Sequence, residues 1–380
     1  MSVSILSSPG SRVRFGDVVT NINDYFSAGA DGVLPYVAGP HIVPGHPSVA
    51  TYGSTADDDF PPTFKRKFQS GDVLLHSRGV DKLASVDRRG VTGEKLFVLR
   101  STDEARLRQR FLLWLLMSAP AKQHIRRHFT GSVNRFLNWG PLADFEFDLP
   151  TPDEQDRISD LFWTIEQHRV SLTCLADALA TAADVQLAQM WDRNGNKQSI
   201  ASIADCVTGS TPSKANAEYW NSQDVPFYTP SEIEGDTVRP ARQQVSRAGA
   251  AAGRALPKYA VAVACIGGDM GKSAVVPEPG ISNQQITAIV GLLEADAYAM
   301  QALLAHARGR QAMEARETTT IVRKLNKSDL MKVEVPWPVD RAPLQRLVAN
   351  RRRATAELRA EVDALRQLRL AMLANLLGGD

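Results

Sequence analysis

The chain has 380 residues, 43% hydrophobic and 23% charged, and 44 lysines and arginines against 42 aspartates and glutamates leave a net charge of +2. This is an ordinary globular composition on a chain too long for one core, which excludes collagen-like and low-complexity classes and predicts two or three domains. Three scattered cysteines, Cys174, Cys206 and Cys265, make neither a disulfide framework nor a CxxC metal clip, so a reduced, cytoplasmic protein is expected.

In chain order, the opening MSVSILSSPGSR has no basic n-region and no long apolar h-region, so no secretory signal is expected. Residues 1–150 read as a first α+β lobe, with strand-like runs Val73–His76 and Lys95–Leu99 between Gly/Pro-rich loops and a helix near Arg106–Met117. Phe111 to Met117 is the longest apolar run, far short of the ~20 residues that span a membrane. Thr151, Pro152 and Glu154 then form a helix start, with a Thr-x-x-Glu capping box and a first-turn proline. Over residues 151–193, Ile158, Leu161, Ile165, His168, Leu172, Leu175, Leu179, Ala182 and Met190 follow three- and four-residue steps with one gap near Gln186. That heptad seam predicts a long helix closed by Gly195. Residues 194–338 form a second lobe, with strands at Tyr259–Ile266 and Gln285–Val290 and a helix near Tyr298–Ala307. Residues 339–380 repeat the long helix through Leu344, Leu347, Ala354, Leu358, Leu365, Leu368, Met372 and Leu376, ending at Gly378-Gly379.

The two halves are copies. Sliding the chain by 188 residues lays Asp17–Thr20 on Asp205–Thr208, Val73–Leu75 on Val261–Val263, and Leu115-Leu116 on Leu303-Leu304. It also lays Arg135, Leu137-Asn138 and Leu142 on Arg323, Leu325-Asn326 and Leu330. A period this long means duplicated domains rather than a solenoid. Charge separates the two helical tracts: residues 151–190 hold two basic and seven acidic side chains, residues 339–380 eight and five. Each helix, roughly 55–60 Å at 1.5 Å per residue, must bury its stripe. Packing on its own lobe would do so, but opposite charge favours antiparallel pairing of the two helices, with one lobe at each end about a pseudo-twofold axis.

Catalytic strings are wanting. Gly267–Ser273 ends in Gly-Lys-Ser but has Ile266 where a P-loop needs its first glycine, and it leads into a strand-like Ala274–Val276. His124 and His128 stand four apart without a glutamate between them or a third ligand, which reads as two surface histidines rather than zinc ligands. Asn138-Trp139-Gly140-Pro141 is not an amino-methylation loop, and no glycine-rich strand-to-helix loop for a nucleotide or adenosyl cofactor is present. No catalytic residue and no metal ligand is expected.

Thr208-Gly209-Ser210-Thr211-Pro212-Ser213-Lys214, then Tyr219-Trp220, then Val225-Pro226-Phe227-Tyr228 resembles the start of a target-recognition domain in the specificity subunits of type I restriction–modification enzymes. Gly271–Ala274 and Ser282–Gln285 are similar to that family's central hairpin segment, and Leu149–Gln155 and Val335–Pro338 to its lobe-to-helix junctions. The first copy lacks a Gly-x-Thr-Pro string, and the second junction carries Asp340–Gln345 in place of Glu-Gln. The resemblance implies two target-recognition lobes separated by long antiparallel coiled-coil helices. Each lobe would read half of a split, asymmetric double-stranded DNA target. The helices would set the gap and dock two methyltransferase subunits, which carry adenosylmethionine, and a motor–nuclease subunit using ATP and Mg would join them. This chain itself would hold no cofactor and meet no membrane.

Loop residues able to reach bases or phosphates are Lys65, Arg66, Lys67, Arg78, Lys82, Arg88, Arg89 and Arg135 in the first lobe, and Ser213, Lys214, Tyr228, Arg239, Arg242, Lys272 and Arg323 in the second. Arg135 and Arg323 are the best motivated, because the repeat superposes them before a turn entering the long helix. Tyr219-Trp220 is read as core anchoring. The competing reading is a duplicated coiled-coil adaptor that binds no DNA; it shares the helices but gives no reason for the Gly-Ser-Thr-Pro-Ser and Asn-Gln-Gln segments.

Overall fold

A computed structural model describes residues 11–193, 197–319 and 322–378, so the expected cap Gly195, the opening ten residues and Gly379 lie outside the described residues. The chain divides into two compact units, Met1–Leu172 with Ala360–Asp380, and Thr173–Arg359. Each unit is a lobe plus part of each long helix, so the helices belong to the cores they cross.

In the first unit, one antiparallel sheet runs Val19–Asn21, Leu96–Ser101, Val73–His76, Leu83–Ser85 in spatial order. A second runs Gly53–Ser54, Pro35–Val37, Gly90–Thr92, Arg66–Phe68, with a parallel step between Pro35–Val37 and Gly90–Thr92. Ser11–Arg14 pairs with Glu146–Leu149 and ties the start of the lobe to its end. The second unit repeats the order: Asp205–Thr208, Ile286–Val290, Val261–Ala264, Ser273–Val275, then Gln243–Val245, Val225–Tyr228, Gly280–Ser282, Ala255–Leu256, with Lys197–Ser199 on Glu334–Pro336. One unusual parallel step occurring at the same place in both lobes marks a true duplication.

Strand pairing also corrects the register of the repeat. Thr20 pairs with Arg100 and Asp205 with Val290, while Val73 pairs with Leu99 and Val261 with Ile289. Thr20 therefore matches Asp205, not Thr208; the offset is 185 at the first strand, 188 at Val73 and 190 at Leu99. Loop-length differences break a single shift into steps, so a uniform slide found the middle of each lobe and missed its start. The same pairing lays Leu34-Pro35-Tyr36-Val37 on Val225-Pro226-Phe227-Tyr228, so the first lobe does carry the apolar-Pro-aromatic step, at an offset of 191.

The expected helices are present with shifted ends. Gln109–Met117 and Glu294–Ala305 pack on the sheets, and each is followed by a second helix the sequence reading missed, Ala119–Arg127 and Ala307–Glu314. Ser118 and His306 break each helix pair and cap the second member.

The first long helix is continuous over Pro152–Asp192 and the second over Ala342–Leu376. The capping box forms: Thr151 N–H donates to Glu154 Oε2 at 3.0 Å, and Glu154 N–H to Thr151 Oγ1 at 3.4 Å. Gln155 donates to the carbonyls of Arg106 and Pro150, and Gln345 to Asp296 Oδ1, so the second junction anchors to its lobe without the Glu-Gln pair. Pairing of the long helices is antiparallel within each unit. In the first unit Glu166 meets Arg369 and His168 meets Glu361; in the second Asp184 meets Arg351.

The buried seam departs from the predicted heptad. Ile158, Phe162, Ile165 and Leu172 are buried in the first unit and Ala183, Leu187 and Trp191 in the second, whereas Leu161, Leu175 and Leu179 are exposed. Two causes act together. A 3.6-residue helix drifts about 20° per heptad from a 3.5 repeat. The lobe also competes for the stripe: Phe162 packs with tilted rings 5.0 Å from Trp114, and Trp163 lies edge-on at 5.2 Å. By length and mean hydropathy, 1.2 over its most apolar 18 residues, the first long helix could cross a membrane. The expectation from the short Phe111–Met117 run overlooked it because its apolar residues are interspersed with polar ones.

Candidate nucleic-acid interface

Each lobe gathers three loops at one end of its first sheet. In the first unit the strands Val73–His76 and Leu83–Ser85 turn through Ser77–Lys82, where His76 N–H donates to Lys82 O and Lys82 N–H to Gly79 O. Ser77 N–H donates to Lys95 O at 2.8 Å, and Leu137 N–H to Ser77 O at 2.7 Å. The turn, the loop before Leu96 and the hairpin closed by Thr130 and Phe136 are thus bonded into one edge. The second unit makes the same bonds: Ala264 N–H to Lys272 O, Cys265 N–H to Gln285 O, Leu325 N–H to Cys265 O. Gly267–Ser273 is therefore an antiparallel hairpin turn, as its sequence predicts, and no phosphate loop.

The chemistry on this shared skeleton differs between units. In the second, Thr211 Oγ1 donates to Gln284 Oε1 at 3.0 Å, and Asn283 Nδ2 to Gln285 Oε1 at 2.9 Å. A Cβ on Gly209 would fall 2.2 Å from Asn283 O and 2.3 Å from Ser282 Oγ. The Gly-Ser-Thr-Pro-Ser string needs its glycine so that this loop can lie against the Asn-Gln-Gln loop. Trp220 donates to Ser213 O at 3.2 Å and packs edge-on against Phe227, the anchoring role its sequence suggested. In the first unit the same edge is cationic.

Of the anticipated contacts, Lys65, Arg78, Arg89, Arg135 and Lys214 are exposed, and among the described residues none has an ion-pair partner. Lys82 is half-buried at the edge just described. Ser213 is exposed and its carbonyl holds Trp220. Others are occupied within the fold. Lys67 lies between Asp24 and Asp31 at 3.3 and 3.4 Å, and Arg88 pairs with Asp87 while lying over the Tyr52 ring. Arg239 pairs with Glu234, Arg242 approaches Glu232 and Lys272 pairs with Asp269. Arg323 holds both Glu314 and Glu317, unlike its counterpart Arg135, so the two superposed arginines are not equivalent.

Two candidates are corrected. Tyr228 is 1% exposed, its hydroxyl has no hydrogen-bond partner among the described residues, and burial pushes its phenol up to about 12. The step that matches it to Val37 in the first lobe is a core step. Arg66 is half-buried and donates to Leu96 O at 2.8 Å, which makes it a brace between the sheets. Sequence reasoning missed Lys95, the exposed counterpart of Gln285; the signal lay in the Asn-Gln-Gln segment at an offset of 190 rather than 188. His124 and His128 stack on each other, with His124 Nε2 2.7 Å from Pro141 O, and among the described residues no group of three or more His, Cys, Asp or Glu could hold a metal ion.

No protein-family model matches the sequence, and no curated protein matches it. Solved structures do. An S subunit of a type I restriction–modification system from M. genitalium aligns over 100% of this chain and 99% of its own, with a TM-score of 0.59 at 12% identity. A chain from work on complex assembly and conformational transition of the type I R-M system aligns over 99% and 100%, with a TM-score of 0.62 at 15% identity. The chain has the fold of a type I specificity subunit. At such identities the specificity-subunit fold is shared through backbone and core pattern, while the loop edges described above are this chain's own.

Proposed function

We propose that this chain is the DNA-recognition subunit of a type I restriction–modification complex and does no chemistry itself. Each lobe reads one half of a bipartite double-stranded target, and the long helices set the gap. One observation carries this reading: two lobes with the same hydrogen-bonded loop edge present different side chains on it, cationic in the first unit and amide- and hydroxyl-rich in the second. A duplicated reader with divergent edges suits a target whose halves differ, since base edges are discriminated by donor and acceptor pattern.

The long helices support docking of two methyltransferase subunits. Leu161 and Val170 in the first unit, and Leu175, Leu179 and Val185 in the second, are apolar side chains exposed on the first long helix. We assign these exposed side chains to protein partners in the cytoplasm, with no membrane contact. Adenosylmethionine would be carried by those subunits, and ATP with Mg by a motor–nuclease subunit. The adaptor reading predicts the same exposed face but no use for the loop edges.

The test is selection. The chain with its methyltransferase subunits is incubated with random duplexes and the retained DNA is sequenced. Two short conserved blocks at a fixed spacing are expected. Absence of any enriched sequence overturns the reading, and methyl transfer by the purified chain alone overturns its non-catalytic part.

A further inference from the structure

The cationic edge of the first unit has a more specific character, which rests on the DNA-recognition reading. Arg78, Lys82 and Lys95 come from two loops held together by the Ser77 N–H to Lys95 O and His76 N–H to Lys82 O bonds. All three act on the half-buried imidazole of His76, whose pKa burial and these charges, in the order Lys82, Lys95, Arg78, hold below 6.5. No carboxylate acts on the ring, and among the described residues none pairs with any of the three cations. His76 Nδ1 accepts the Arg78 N–H at 3.0 Å, so the neutral ring shapes the turn that presents Arg78. Asp81 in the same turn is held by Lys122 at 2.8 Å and Arg126 at 3.6 Å, and among the described residues Glu94 pairs with none of the three cations, so the crowded like charges stay unfavourable until an anion arrives.

The duplicate supplies an internal control. Backbone pairing matches His76, Lys82 and Lys95 to Ala264, Lys272 and Gln285, and Arg78 falls where the second unit has Ile266-Gly267-Gly268. Three of those positions are uncharged, and the fourth is paired with Asp269 at 2.5 Å. One backbone has thus been given an anion-attracting set in one copy and a charge-neutral set in the other.

We infer that the loop edge formed by His76, Arg78, Lys82 and Lys95 is a seat for a DNA backbone phosphate, and that the second unit has no equivalent, so the first lobe supplies the larger share of salt-sensitive affinity. Each phosphate contact contributes about 0.9 to the slope of log affinity against log salt.

The experiment measures duplex binding by fluorescence anisotropy, with the full chain and its methyltransferase subunits on a random 40-bp duplex between 50 and 200 mM salt. The triple variant R78Q/K82Q/K95Q should lose about 0.9 from the slope, the share of one phosphate, whereas K272Q, whose lysine is held by Asp269, should lose clearly less. These side chains sit at the surface edge, and unchanged circular dichroism and melting of the variant confirm that it folds. As a second readout, NMR of His76 should show its ring titrating at higher pH when duplex is bound, because a phosphate offsets the three cations. An unchanged slope with an unmoved His76 overturns the seat while leaving DNA recognition standing. Failure of the unsubstituted complex to bind any duplex overturns the DNA-recognition reading, and the seat with it.

Discussion

Glu166 and Arg369 make the sharpest quantitative test of how the second long helix is held in the first unit. Glu166 is 4% exposed and Arg369 5%. The carboxylate receives Arg169 Nε at 3.1 and 3.0 Å, Arg169 Nη2 at 2.5 Å and Arg369 Nη1 at 3.1 Å. Arg369 Nη2 donates to Gly45 O at 2.7 Å, and its Nε has no hydrogen-bond partner among the described residues. Desolvation pushes the Arg369 pKa down despite the attraction of Glu166, so this guanidinium depends on its counter-charge. Glu166→Leu leaves it buried without one, and such a loss destabilises by about 3–5 kcal/mol. Arg369→Met removes the charge itself and leaves Glu166 held by Arg169. The main loss is then the donor to Gly45 O, about 1 kcal/mol, offset in part by apolar packing. Glu166→Leu should therefore be the worse change by about 2 kcal/mol or more, and the double variant should fall between the two single variants, because Arg169 also loses its carboxylate. Urea unfolding of the full chain, read through tryptophan fluorescence and hydrogen exchange of residues 360–376, measures both. Equal losses, or a larger loss from Arg369→Met, would refute the dependence of the arginine on Glu166.

Gly209→Ala should force the 208–214 loop off Ser282 and Asn283 and blur one half of the selected target while the other stays sharp; two sharp halves would show that this close approach is dispensable. Burial holds both His46 and His76 below 6.5, so the unfolded chain takes up protons first as pH falls. Stability present above pH 6.5 should be lost below it, and His46→Gln with His76→Asn should flatten the first unit's melting profile between pH 6.5 and 5. Seven residues inserted after Leu172 and after Leu358 lengthen each helix by about 10 Å at 1.5 Å per residue. At ~3.4 Å per base pair the preferred spacer should then grow by about three base pairs, with weaker methylation; an unchanged spacer in methylome sequencing means the helices do not set it.

The lobe–helix–lobe–helix order, the capping box at Thr151 and the opposite charge of the two helical tracts were legible in the sequence, because they depend on local periodicity, capping and composition. The Gly-Ser-Thr-Pro-Ser and Asn-Gln-Gln strings could be seen as motifs, though their direct contact could not. Among the candidate contacts, residue type pointed to arginines and lysines, yet half proved to be engaged within the fold, as Lys67, Arg88 and Arg323 show.

What the amino-acid order determined alone was therefore the duplication, the long amphipathic helices and the absence of cofactor-loop strings. Tertiary structure decided the rest. It chose Phe162 over Leu161 for the buried seam, because Trp114 offered an aromatic packing surface that no one-dimensional period contains. It buried Tyr228 and brought Lys95 to Arg78 and Lys82, since strand pairing across loops of unequal length sets which residues are neighbours. Charge pairing and burial depend on distances between residues remote in sequence, and those distances exist only once the chain has folded.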